Sequence, residues 1–188
     1  MSGGEATSVN EEECWLFAYG SLMWRPDFPY LDAVPARLSG YHRHLCLYSY
    51  IYRVTPEAPG LVLGLDRGGS CWGIAFRIEA SRVEAVLNQV DQREIQYAVY
   101  QRRRLPVRLG MGLGGRRLFA YAYVVNRDSP QYVGRLSQER VIALVRQGQG
   151  ERGRCLDYLR NTVAHLDELG LPDPNLKALL EAVEAGSD

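Results

Sequence analysis

From residue 14 to residue 78 the chain reads as one strand-like run after another, and no helical period begins until residue 82. Cys14-Trp-Leu-Phe-Ala-Tyr19 is a short apolar and aromatic run that ends at Gly20-Ser21. Ala36 to Tyr52 is crowded with tyrosine, leucine and histidine, and Gly60 to Asp66 and Cys71 to Ile78 repeat the same texture with glycines between them. A chain ordered this way cannot wind the strand–helix alternation of a parallel doubly wound sheet. Its 188 residues suffice for one well-buried core, and no Pro- or Ser-rich linker divides them.

The period then changes. Val83, Val86, Leu87 and Val90 fall at i, i+3, i+4 and i+7 behind Ser81, a candidate N-cap with Glu84 as its capping-box partner, so a helix is expected from Arg82 to about Arg93. Val99 to Leu109 and Arg116 to Val125 alternate in side-chain type around Gly110 to Gly115, the pattern of a β-hairpin. Helices are expected over Gln138 to Gln147, Gly153 to Leu169 and Pro174 to Ala185. The expectation is a single α+β domain over residues 14–188, with a mostly antiparallel, curled or barrel-like sheet and flanking helices. Residues 1–13, polar and without periodicity, are expected to be a disordered tail.

Composition removes several functions. Twenty-two basic side chains against twenty-two acidic ones give a formal charge of zero, so no whole-molecule field draws the chain to nucleic acid or an anionic membrane. No apolar run approaches the roughly 20 residues of a spanning helix. Cys14, Cys46, Cys71 and Cys155 form no C-x-x-C pair, and the N-terminus is not a signal peptide, so reduced thiols in the cytoplasm are expected. Gly110 to Gly115 nominally satisfies G-x-G-x-x-G, but a strand rather than a helix follows it, and phosphate binding needs the helix N-terminus. Ser21 lacks the second glycine of a nucleophile elbow. His42 and His44 alternate on one strand and can face the same side, yet no cysteine or carboxylate cluster adjoins them in sequence. The arginines of the hairpin, Arg102, Arg103, Arg104, Arg108, Arg116 and Arg117, read as a solvated face or as a basic surface among aromatics.

Glu94 stands apart. One more step of four from Val90 puts its carboxylate on the apolar stripe, where an unpaired acid is costly to ionise. Two readings follow: an ion pair with an arginine such as Arg93, or a desolvated general base with a pKa raised toward neutrality.

Phe17-Ala-Tyr19-Gly20-Ser21-Leu22-Met23-Trp24-Arg25-Pro26-Asp27-Phe28 resembles the N-terminal signature of the ChaC family, the glutathione-specific γ-glutamylcyclotransferases. Arg53-Val-Thr55-Pro56-Glu57-Ala-Pro59-Gly60 is similar to that family's R-G-T-P-E-x-P-G stretch, and Cys71-Trp72-Gly73 to its C-x-G strand. Arg93-Glu94 with Tyr100 resembles its R-E helix end and following tyrosine, and Gly153 to Leu159 its late G-x-N-x-E-Y-L helix start. Val54, Ala98 and Cys155 depart from the pattern, which bears on substrate preference more than on reaction type. The resemblance implies cleavage of glutathione to 5-oxoproline and cysteinylglycine by attack of the substrate's own α-amine, without a cofactor or metal. It implies Glu94 as general acid/base, Tyr19, Gly20, Ser21, Leu22, Met23 and Trp24 as the substrate-holding loop, and Arg53 and Tyr100 as further pocket residues. A cyclotransferase for another γ-glutamyl amine, or a non-catalytic binding module on the same scaffold, are the alternatives. No nucleic-acid or membrane partner is expected, and oligomeric state is not legible.

Overall fold

Two long strands frame the molecule, for which the computed structural model describes residues 14–49, 59–95, 98–112, 114–150 and 153–185. β2 (Asp32–Ser49) and β3 (Gly60–Ile78) pair antiparallel along nearly their whole length. The sequence suggested two strands where β3 runs unbroken. Gly68 and Gly69 take φ of 105° and 66° beside Gly40 at 84°, and the register shifts between Ser39 and Tyr41, so the glycines bend a continuous ladder instead of ending it. β2 also begins earlier than expected, at Asp32, while residues 50–52 of the expected strand lie outside the described residues.

β1 (Cys14–Ala18) pairs antiparallel with β3, and β4 (Tyr100–Leu109) pairs with β2 at Ala36–Leu38. β4 and β5 (Arg117–Val125) form the expected hairpin. β5 meets β1 in a parallel pairing at Leu16 and Tyr121, which closes a barrel in the order β1-β3-β2-β4-β5. The expected α+β architecture with a barrel-like, mostly antiparallel sheet is the one observed.

Strand periodicity sorts the core into two layers. Trp15, Phe17, Leu38, Leu65, Val107 and Ala122 share a cluster built from the strands and their ends, which is the barrel interior. Leu16, Ala18, Ile74 and Phe76 face the other way, into a cluster shared with the helices. α1 (Val83–Glu94) sends Val86, Leu87 and Val90 into this outer layer. Ser81 does not cap it. A 3-10 turn over Ala80–Arg82 precedes the helix, so Ser81 is already inside a helical turn and Arg82 occupies the cap without a side-chain bond.

α2 (Gln138–Gln147) is capped by Ser137. A ribbon of two short strands, β6 (Gln149–Gly150) and β7 (Gly153–Arg154), takes the place of the first residues expected of the next helix, α3 (Cys155–Glu168). α4 (Pro174–Glu184) starts on a proline behind the Asp173 cap. Leu144, Leu159, Leu166, Leu176 and Val183 carry the three helices onto the barrel's outer face.

Arg43, 7% exposed, binds these layers together. Its guanidinium donates to the carbonyls of Tyr19 and Trp72, and its Nε lies 3.0 Å from the Asp173 carboxylate, so the end of β1, the middle of β3 and the start of α4 share one buried cation.

Gly73 is where β1 and β3 approach too closely for a side chain: a Cβ there would stand 2.1 Å from the Ala18 carbonyl oxygen and 2.8 Å from the Phe17 ring. Gly73→Ala is expected to destabilise the fold by about 3 kcal/mol, read as a lower urea midpoint. Gly114→Ala, with no atom within 4 Å of the new methyl, serves as the neutral control.

Candidate active site

β1 and β5 run parallel, and their pairing is confined to Leu16 and Tyr121. Beyond it, Phe17, Ala18 and Tyr19 on one side and Tyr123 on the other border a cleft at the seam of the barrel, with Gly20, Ser21, Leu22, Leu63, Glu94, Tyr100 and Tyr158 completing the lining. The cleft is therefore where the interior and outer core layers meet. Of the residues expected to hold substrate, Tyr19, Gly20, Ser21, Leu22 and Tyr100 come together with Glu94. Met23 turns into the outer core, and Trp24 stacks on His165 of α3 with ring centroids 4.6 Å apart; neither lines the cleft. Arg53 lies outside the described residues.

Glu94 is the last residue of α1, delivered by the stripe that buries Val86, Leu87 and Val90. Its side chain is 18% exposed. Burial pushes its pKa above the usual carboxylate value, and the Arg93 guanidinium, with Nε 3.2 Å from Oε1, opposes that rise without cancelling it. Both readings of this residue thus describe one geometry: the acid is paired and still desolvated.

Opposite Glu94 the chain leaves β1 and makes a 3-10 turn over Ser21–Met23. The N–H of Met23 bonds the Gly20 carbonyl, and that of Arg25 the Ser21 carbonyl. Among the described residues nothing accepts from the N–H groups of Ser21 and Leu22, the orphan donors that begin any helical turn. A Cβ at Gly20 would meet no atom within 4 Å, so the missing side chain leaves open space. The turn thus offers two backbone donors beside a carboxylate.

Four phenols complete the wall. Burial pushes Tyr19 and Tyr100 well above the ordinary tyrosine pKa, with the nearby Glu94 charge adding to the rise, so both stay protonated and serve as hydrogen-bonding groups. Tyr100 donates to the Leu63 carbonyl at 2.7 Å. Tyr123 donates to Asp91 at 2.6 Å, and Asp91 is held in turn by Arg102 at 2.7 Å. Tyr123 and Tyr158 also line the cleft, beyond the residues expected from the sequence. Tyr158 sits inside the late helix motif, a signal that was available; Tyr123 becomes a wall residue only once the barrel closes.

Other candidates lose their chemistry. In a larger cavity of about 300 Å³ beside Asp66, Arg103 and Arg127, Tyr132, Arg127 and the Arg67 N–H hold the Asp66 carboxylate below the usual range against the effect of burial, which makes it a weak base. His42 and His44 do share a face, stacked at 4.6 Å, but His42 is turned to the Gly68 carbonyl and His44 to Asp66. No group of three metal-ligating side chains occurs among the described residues. All four cysteines are buried, none is joined in a disulfide among the described residues, and burial pushes the Cys46 thiol up to about 12. On the hairpin, Arg102 is engaged by Asp91, Arg103 by Gln101, and Arg104 lies over the Phe119 ring. No described helix is long and apolar enough to cross a membrane.

Comparison with known proteins points to one family. The model of the ChaC-like protein family matches residues 14–186. The glutathione-specific γ-glutamylcyclotransferase of Escherichia coli K12 is 30% identical over 180 residues, covering 95% of this chain and 76% of that protein. Human glutathione-specific γ-glutamylcyclotransferase 1 is 30% identical over 173 residues, covering 90% and 78%. The crystal structure of a γ-glutamyl cyclotransferase specific to glutathione from yeast shares the fold, with a TM-score of 0.82 at 21% identity over 92% of this chain and 96% of that one.

The raised pKa of Glu94 makes a stability prediction whose sign is fixed. Below about pH 4 the carboxyl is neutral folded and unfolded, and Glu94→Gln changes little. As pH rises through the folded-state pKa, the wild type must ionise a desolvated acid and loses stability that the amide retains. Glu94→Gln is expected to melt at or above the wild-type temperature at pH 7, with the margin vanishing toward about pH 4. A melting temperature lower by more than about 5 °C at pH 7 would mean that the Arg93 pair outweighs desolvation.

Proposed function

The chain belongs to the ChaC-like protein family, and we propose that it is a γ-glutamylcyclotransferase that cleaves glutathione to 5-oxoproline and cysteinylglycine. The observation that carries this reading is a desolvated carboxylate facing a turn with two backbone N–H donors that no acceptor engages among the described residues, in a chain matched by the family model over residues 14–186.

In the reaction proposed, the α-amine of the γ-glutamyl unit attacks the unit's own γ-carbonyl carbon. A carbon–nitrogen bond forms to close a five-membered ring, the bond to the cysteinyl nitrogen breaks, and no water is consumed. Because nucleophile and electrophile share a molecule, the protein's task is to fold the γ-glutamyl arm into a near-attack shape and to manage two protons. Glu94 takes one from the α-ammonium and returns one to the departing amide nitrogen, work suited to an acid whose pKa is raised toward the operating pH. Ser21 and Leu22 supply N–H donors to the substrate's oxygens, including the oxyanion that develops at the γ-carbonyl; such donors act in a partly dehydrated cleft without reorganising. The protonated phenols of Tyr19, Tyr100 and Tyr123 wall the arm in. No enzyme nucleophile, metal or cofactor has a step in this chemistry.

The test is mass spectrometry of purified protein with glutathione. Equimolar 5-oxoproline and cysteinylglycine are expected from the wild type, and a fall of at least about 1,000-fold in turnover from Glu94→Gln while the fold persists. N-acetyl-glutathione, whose nitrogen has lost its basic lone pair, is expected to give no ring product and no cysteinylglycine. Near-normal turnover by Glu94→Gln would remove the acid/base assignment, and release of cysteinylglycine from the acetylated compound at a rate comparable with glutathione would remove intramolecular attack.

A further inference from the structure

One guanidinium touches both halves of the cleft. Arg93 lies beside Glu94 at the end of α1, and its planar fork reaches four partners: Nε is 3.2 Å from Glu94 Oε1, Nη2 donates to Ser21 Oγ at 2.9 Å, and Nη1 donates to the Arg25 carbonyl at 3.1 Å and to Asp27 Oδ2 at 3.0 Å. We propose that Arg93 is a positioning residue for the cyclisation, the strut that fixes the Gly20–Leu22 turn relative to the Glu94 carboxylate, with Asp27 as its outer anchor. The inference rests on the functional reading above, and extends it to residues that lie outside the cleft lining.

The local sequence explains the strut. Gln89 and Arg93 stand at i and i+4, so they share one face of α1 while Val86 and Val90 turn inward. Gln89 donates to the Asp27 carbonyl, and Arg93 takes the Asp27 carboxylate, so a single helical face grips the loop at both its backbone and its side chain. Asp27 itself sits at φ 53°, a left-handed conformation that side-chain-bearing residues adopt at a cost and that the two contacts hold in place. On the far side, the Trp24 ring rests on His165 of α3, an independent support. The turn is thus clamped between two helices, and only the α1 side is also bonded to the proposed base.

Magnitude separates positioning from stability. The Asp27 side chain is 67% exposed and that of Arg93 35%, and ion pairs so open to solvent contribute little to folding. A displacement of about 1 Å between reacting groups, in contrast, costs on the order of 100-fold in rate. The strut should therefore matter for turnover far more than for melting.

Its charge should be visible as well. The groups facing Glu94 from other elements are the phenols of Tyr19 at the end of β1, Tyr100 on β4, Tyr123 on β5 and Tyr158 on α3, together with Ser21 in the turn. Asp91, one turn back on α1, is occupied by Tyr123 and Arg102. Arg93 is the cation bonded to Glu94 among the described residues, and removing it leaves burial unopposed.

The experiment is steady-state kinetics with glutathione against pH, with thermal melts, for Arg93→Met, Arg93→Lys, Asp27→Gly and Glu94→Gln. Arg93→Met is expected to lower kcat about 100-fold and to move the acid limb of kcat/KM to higher pH, with the melting temperature within a few degrees of wild type. Arg93→Lys, which keeps the charge but not the fork, is expected to restore the acid limb and leave kcat low. Asp27→Gly accepts the positive φ and removes only the anchor, so it provides a test that does not depend on the Arg93 variants folding: kcat falls several-fold while the melting temperature holds. The proposal is overturned if Arg93→Met keeps the wild-type kcat and acid limb, if Arg93→Lys restores both, or if losses of rate only follow losses of folded protein. Those results beside an inactive Glu94→Gln would remove the strut alone, whereas an active Glu94→Gln would remove the functional reading beneath it.

Discussion

The barrel closes along a short parallel seam, the pairing of Leu16 with Tyr121, and the cleft follows from how little of that seam is bonded. Antiparallel neighbours can zip to their ends, as β4 and β5 do from Tyr100–Val125 to Arg108–Arg117. β1 instead stops at Ala18, is held by Arg43 at the Tyr19 carbonyl, and turns away, while β5 continues to Val125. The opening between them is bordered by the buried Tyr123 on one side and by the Ser21–Met23 turn on the other. Helix α1 packs across the outer layer and ends with Glu94 at this gap.

What makes the gap chemically distinctive is the contest over Glu94. Burial works against its charge, one guanidinium works for it, and burial has the larger effect. The phenols around it are themselves pushed toward their neutral forms, so they can hydrogen-bond without competing for the proton. Asp66 shows the opposite outcome in the same molecule. Its side chain has little contact with solvent, yet two arginine nitrogens, a tyrosine hydroxyl and a backbone N–H stabilise its charge. Donors to the ionised form, set against desolvation, separate a structural carboxylate from one suited to proton transfer.

Features carried by local periodicity were legible in the sequence. The 3.6 spacing of Val83, Val86, Leu87 and Val90 placed α1 and put Glu94 one step beyond it, and alternation located the β4–β5 hairpin. What failed was context. Ser81 has the chemistry of a cap but sits within a 3-10 turn, and the glycines at 68 and 69 look like a break but bend a ladder held by a long partner strand. Arg43, Arg93 and Tyr123 reach partners through closure of the barrel, at separations that no window along the chain contains. One departure from the family pattern has a conformational correlate: Ala98, where glycine is frequent, stands at φ 54°.

Reaction in ¹⁸O-labelled water asks most directly whether the cleft holds a substrate that attacks itself. Intramolecular attack takes no oxygen from solvent, so with glutathione the 5-oxoproline and cysteinylglycine released should both carry the unlabelled mass, with no labelled glutamate formed. Appearance of glutamate bearing one ¹⁸O in its γ-carboxylate, in step with cysteinylglycine, would show that Glu94 activates water instead, and would contradict cyclisation as the work of this site.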